Sequence, residues 1–250
     1  MKKLTTLAFL LGLCIPALRA QAPVHGDLYS VQIEYVTPEH QLEYNEWGKA
    51  FKKLADDTHG VNFFVFQDNN SYSYVTNIGQ KPTALNDHKT AWDNWGKANP
   101  AAEELFKKYH HTQSHSSREL WWIDLNHSYM PDKYSPAENP AYLRRTIVYL
   151  KVGEEAAATK LIEQYVAEYK KHQISVPFTI YWNIFGHETP CFGVTQFFQS
   201  REEWVKVEKE IQEKIGKEQL MKWQGEWFKM SRKIEDYENW IRNDLSHNNE

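Results

Sequence analysis

The same order of secondary-structure signals occurs twice along this 250-residue chain, on either side of a proline-rich stretch at residues 126–140. No other feature constrains the fold as strongly, because each copy of the pattern must bury the same faces. In the first segment Tyr29, Val31, Ile33 and Tyr35 alternate with more polar neighbours, the period of a strand. Thr37 and Pro38 then offer an N-cap hydroxyl and a proline at the first helical position. Tyr44, Trp47, Phe51 and Leu54 recur at steps of three and four, which predicts an amphipathic helix. Residues 61–66 and 71–78 read as a hairpin across the turn at 68–70. A second helical region, 82–115, breaks near Asn99 and Pro100, and 120–125 closes the segment as a strand.

The second segment repeats the order. Residues 146–152 read as a strand, and Ala158, Leu161, Tyr165 and Tyr169 mark a helix. Residues 178–185 and 191–198 form a hairpin. Ser200 and Glu203 have the spacing of a capping box, ahead of a helix with Trp204, Val207, Ile211 and Ile215 on one face. Gly216 interrupts that helix, Leu220, Trp223 and Trp227 continue it, and 234–241 reads as a last strand. Val75-Thr76-Asn77 lines up with Val194-Thr195-Gln196. Each segment is therefore β-α-β-β-α-β, the ferredoxin-like order. The expected fold class is α+β: two tandem ferredoxin-like halves, 21–125 and 143–250, joined by a linker at 126–142. They would pack as an intramolecular α+β barrel, each open sheet covering the bare face of the other.

The N-terminus reads as an export signal. Lys2 and Lys3 precede a nearly unbroken apolar run from Leu4 to Ala17, and Ala20 offers the small residue before a cut. The run is too short to span a bilayer. Cys14 brings a lipid anchor into view, but bulky Leu13 stands where a lipobox carries a small residue. The expectation is a 1–20 signal peptide and a periplasmic or extracellular protein with no membrane-spanning segment. Without Lys2, Lys3 and Arg19, 26 basic residues face 33 acidic ones. That balance, with no basic run, argues against nucleic acid as a partner. Cys191 is then the one remaining cysteine, so stability must come from packing rather than a disulfide, and Cys191 itself reads as a small buried hydrophobe.

In element order, in its aromatic helices and in Ser200-Arg201-Glu202-Glu203-Trp204, the chain resembles the dimeric α+β barrel superfamily in a tandem, fused form. Relatives of that kind include antibiotic-biosynthesis-type monooxygenases, haem-degrading monooxygenases and NIPSNAP-like proteins. The resemblance covers about residues 28–125 and 143–242 and carries no catalytic signature. It implies cofactor-free oxidation of a small molecule as one activity. Some haem-degrading relatives bind iron through a histidine of the second helix, where this chain has His88, His110 and His111. Where those relatives have an asparagine on the first strand, Gln32 stands here.

Three sets of residues could carry chemistry. Gln32 and Glu34 lie on the strand face opposite Ile33 and Tyr35. A carboxylate held there between halves would be partly desolvated, as a general base requires, or would simply pair and fix register. Tyr181 and Asn183 hold a similar position in the second half. Trp121 and Trp122 are adjacent in a strand and so face opposite ways, one of them able to line a ligand pocket. His110, His111 and His115 fall in one predicted helix, where His111 and His115 share a face that could hold a metal or lie at a polar helix end. GxGxxG, P-loop, GxSxG and CxxC motifs are absent from the sequence. The favoured function is binding of a small apolar or aromatic molecule between sheet and helices, with no cofactor. Haem or metal binding by the helix histidines, and a non-catalytic structural or interaction role in the cell envelope, are the alternatives.

Overall fold

The computed structural model describes residues 24–131 and 140–249. The described residues form eight strands and six α-helices. The first segment comprises β1 (Leu28–Val36), α1 (Gln41–Thr58), β2 (Phe64–Gln67), β3 (Ser71–Gly79), α2 (Ala84–Ala98), α3 (Pro100–Tyr109) and β4 (Gln113–Tyr129). The second comprises β5 (Tyr142–Leu150), α4 (Glu155–Lys171), β6 (Phe178–Phe185), β7 (Cys191–Phe198), α5 (Arg201–Ile215), α6 (Lys217–Met230) and β8 (Ser231–Ile241). Short 3-10 turns, Pro38–His40 and His110–Thr112, precede α1 and β4.

Several local signals act as the sequence predicts. Ser200 accepts a hydrogen bond from the Glu203 amide at 3.3 Å, while the Glu203 carboxylate accepts from the Gln199 amide at 2.5 Å. The helix breaks fall at Asn99 and at Gly216, whose φ is +92°. At the start of α1 the prediction is only partly met. Thr37 makes no cap bond with its side chain, and the proline opens a 3-10 turn before the helix proper.

The fold class differs from the sequence expectation. The predicted pair of open ferredoxin-like sheets, each shielding the other's bare face, is replaced by one closed antiparallel barrel in the order β1-β3-β2-β8-β5-β7-β6-β4. Closure comes from two seams. β4 pairs β6 over Trp122↔Trp182 and Ile123↔Tyr181, and β2 pairs β8 at Phe66↔Ile241 and Gln67↔Trp240. Two open sheets would leave four edges of unpaired backbone groups, and closure removes them all.

The closed barrel also has one interior rather than two facing slabs. Val31, Ile33, Trp121, Ile147, Tyr149 and Cys191 fill it. Cys191 is 1% exposed, as read from the sequence, and burial pushes its thiol up to about 12. The helices pack outside the barrel. One core lies beneath α1–α3, around Tyr44, Trp47 and Phe51, and another lies beneath α4–α6, around Ile162, Phe192 and Trp223.

The length of β4 is a second departure. The sequence predicts strand at 120–125 and helix through His115, yet β4 spans 17 residues. Its polar first turn of sequence is recruited as strand by β1, with Ile33↔Ser117 and Tyr35↔His115 in register. Backbone pairing to an inner neighbour overrides weak local propensity. Asn126 to Tyr129, assigned to the linker from sequence, are also part of β4. The 1–20 signal, Cys14 and linker residues 132–139 lie outside the described residues. Among the described residues no helix is long and apolar enough to cross a membrane.

Candidate ligand cavity

Strand periodicity decides which side chains face the helices. In β5–β8 the odd residues Ile147, Tyr149, Cys191 and Tyr237 point into the barrel. The even residues therefore point out, toward α4–α6. Val148, Phe178, Ile180, Phe192, Val194 and Ile234 make an apolar floor there. Ile162, Tyr165 and Tyr169, at steps of three and four on α4, form one wall, and Leu220, Met221, Gln224, Trp227 and Phe228 of α6 form the other. Between them is a cavity of about 800 Å³, within the range that holds small organic molecules.

Besides Gln224, polar groups border the cavity in two sets. Thr146, Gln196 and Asp236 flank the floor, and Glu208 and Gln212 of α5 stand with Lys217 at the start of α6. Thr146 donates to Asp236 at 2.5 Å. Inside, Tyr165 stacks on Trp223 at 4.1 Å between ring centres and accepts a hydrogen bond from Trp227 Nε1 at 3.1 Å. Burial pushes the Tyr165 hydroxyl up to about 12, and burial likewise raises Tyr169. Both are therefore neutral phenols at ordinary pH. Met221 and Phe228 are mostly exposed and border the opening with apolar surface. Flat aromatic walls, an apolar floor and a polar rim suit an apolar or aromatic ligand with one polar end.

The residues singled out from sequence lie elsewhere. Glu34 is buried but points outward beneath α1. It accepts from Tyr44, whose hydroxyl also contacts Tyr74 at 2.8 Å, and from Gln113 at 2.9 Å. Burial raises its pKa, partly offset by the Tyr44 bond. Gln32 is more exposed and accepts from Arg118 Nε at 2.7 Å. The two share a strand face but face the helix layer and solvent, not an opposing half.

Trp121 and Trp122 face opposite ways as expected. Trp121 is buried in the barrel and Trp122 lies outside, edge-on to His25. Tyr181 points inward against Tyr29 at 5.5 Å, and Asn183 bonds the Leu120 and Phe185 carbonyls. None of these four lines the cavity among the described residues. His88 is on α2, His110 and His111 are in the 3-10 turn, and His115 is on β4, stacked on Tyr35 at 4.1 Å. The predicted shared helical face of His111 and His115 is therefore absent, because the chain turns extended at Gln113.

Sequence reasoning missed a polar cluster inside the barrel. Glu119, 4% exposed, lies 2.7 Å from His187 Nε2 and 3.8 Å from Arg145, and it accepts from Trp121 Nε1 at 2.7 Å. Tyr149 donates to Glu235 at 2.7 Å and shares a 2.8 Å contact with His187 Nδ1. His187 arrives from the β6–β7 turn, where Gly186 takes φ +102°. A Cβ on Gly186 would stand 2.5 Å from the Arg118 carbonyl, so the turn lies directly against β4.

No family model and no curated protein matches the chain. Solved structures do. A structure described as anthrone oxidase-like superposes with TM-score 0.55 at 12% identity, covering 86% of this chain and 90% of the other. A candidate monooxygenase of Fusobacterium nucleatum superposes with TM-score 0.53 at 10% identity, covering 87% and 93%. A third, from Lactobacillus acidophilus and also described as a candidate monooxygenase, gives 0.51 at 9%, covering 88% and 95%. The chain shares its closed barrel fold with these structures. At these identities the likeness is one of fold.

Haem, which the family resemblance brings into view, can be tested against the cavity's donors. Its lining holds neither histidine nor cysteine among the described residues. The two tyrosines that could ligate iron as phenolates are held protonated by burial, and Tyr165 is already bonded to Trp227. The cavity does not fit a haem ligated through these groups.

Proposed function

We propose that the protein binds a small apolar or aromatic molecule in the cavity between the β5–β8 wall and α4–α6. The observation that carries this reading is the 800 Å³ cavity itself, with its apolar floor and polar rim. The cavity opens to solvent past Met221 and Phe228, so a ligand can enter it and cover apolar surface that water otherwise touches. Binding follows from area: apolar surface removed from water contributes about 25 cal/mol per Å², and Tyr165 and Trp227 add face and edge contacts with a flat ring.

The dye 1-anilinonaphthalene-8-sulfonate, a flat aromatic with one charged end, is a suitable probe. One saturable site per chain is expected. Leu220→Trp, which fills the cavity from α6, should weaken binding by roughly tenfold or more while leaving the thermal midpoint unchanged or higher. Undiminished binding in a folded Leu220→Trp variant sinks the proposal.

Oxidation of the bound molecule by dioxygen without a cofactor is the finer reading; the monooxygenase and oxidase-like descriptions of the three neighbours support the oxidation. Oxygen uptake with anthrone as the probe substrate tests it, and uptake that Leu220→Trp leaves unaltered rejects this cavity as the place of reaction. Export rests on residues 1–20, and a mature N-terminus at Gln21 is its measurable consequence.

A further inference from the structure

In the first segment, outside the cavity lining, two short turns meet. The 3-10 turn Pro38–His40 runs straight into α1, so His40 and Glu43 stand three residues apart on one side of the chain. The second turn, His110–Thr112, lies against this start, tied by the Thr37 amide donating to the Thr112 carbonyl at 3.2 Å. It brings in His111. His40 Nδ1 is 3.3 Å and His111 Nε2 3.4 Å from one and the same oxygen, Glu43 Oε2. All three donor atoms lie within 4.8 Å of one another.

We propose that His40, Glu43 and His111 form a site for a divalent cation of the zinc type. Nitrogen and oxygen ligands sit about 2.0–2.2 Å from zinc, so two donors at the tetrahedral angle are separated by about 3.3–3.5 Å. Two of the three edges already have that length. The third closes by side-chain rotation, which is free here because the three side chains are 34%, 40% and 48% exposed. Two imidazoles and one carboxylate suit zinc and its transition-metal neighbours, whereas magnesium and calcium demand oxygen throughout. Three protein donors leave a fourth position open to solvent. A bound ion would clip the start of α1 to the turn ahead of β4. The competing account is a carboxylate oxygen that accepts hydrogen bonds from two imidazoles with no ion involved.

Calorimetric titration of the untagged full chain with zinc chloride separates the two accounts, with Co²⁺ absorbance reporting coordination number. The expected result is one ion per chain and an intense four-coordinate cobalt band. His111→Ala and Glu43→Gln should each weaken binding at least about tenfold, the scale produced by losing even an outer-shell partner. His110→Ala, one residue away, should bind like the wild type. Melting curves without metal confirm that the variants fold. Absence of saturable zinc binding up to about 1 mM, or binding that survives both His111→Ala and Glu43→Gln, overturns the proposal.

Discussion

Replacing His187 with alanine removes the partner of a carboxylate that has almost no access to water. Glu119 is 4% exposed, and its Oε1 lies 2.7 Å from His187 Nε2. Removing one partner of a buried carboxylate typically costs about 1–3 kcal/mol, because the charge loses a contact and gains no water. Trp121 Nε1 and Arg145 still face Glu119, which places the expected cost in the middle of that range, about 2 kcal/mol. For a chain of this size that is a fall in thermal midpoint of about 4–8 °C.

The pH dependence follows from the same contacts. Burial alone would raise the Glu119 pKa, but the hydrogen bond from His187 and the Arg145 charge outweigh it and hold it below its ordinary 4.5. An acid with a depressed folded pKa contributes stability above its unfolded value and loses it as pH falls through the folded one. The gap between wild type and His187→Ala should therefore be full at pH 7 and narrow below about pH 4.5. Urea denaturation at pH 7, 5 and 3.5 measures it, with His187→Gln recovering part of the loss by donating to Glu119. A variant within about 0.5 kcal/mol of wild type at pH 7, or a gap that does not change with pH, refutes the reasoning.

Two further substitutions test other parts of the fold. Glu34→Gln keeps an oxygen for Tyr44 and Gln113 to donate to. Since burial raises the Glu34 pKa, its stabilising contribution is present below 4.5 and lost as pH rises through the folded value. The variant should melt above wild type at pH 8 and level with it at pH 4, and equal midpoints at pH 8 would argue against a desolvated carboxylate. Gly186→Ala should cost about 2–4 kcal/mol, from a positive φ and a clash with the β4 backbone. Gly216→Ala, with similar φ but nothing within 4 Å of the new carbon, should cost only about 1 kcal/mol. Equal urea midpoints for the two variants would show that the turn is not held against β4.

Signals that act over a few residues were legible in the sequence. The capping box at Ser200 and Glu203, the breaks at Asn99 and Gly216, and the hairpin from Phe178 to Phe198 all stand where the side chains and backbone angles require them. So does the opposition of Trp121 and Trp122, since alternation is a property of any strand. The cavity walls were visible only as helix faces. Sequence cannot tell Tyr165 and Trp227 from core residues, because a filled core and a ligand cavity ask for the same apolar residue types, and only the volume between them tells the two apart.

Tertiary structure alone settled the seams that close the barrel. β4 meets β6, and β2 meets β8, through backbone groups that are chemically alike at every residue and leave no mark on side-chain pattern. The same pairing drew 113–115 out of a predicted helix, turned Glu34 toward α1, and carried His187 from a turn to a carboxylate 68 residues away in the chain. Amino-acid order by itself determines where the chain alternates, coils and bends, since those choices depend on near neighbours. Which distant strand a given edge will meet depends on satisfying every buried amide at once, and that condition exists only in the assembled molecule.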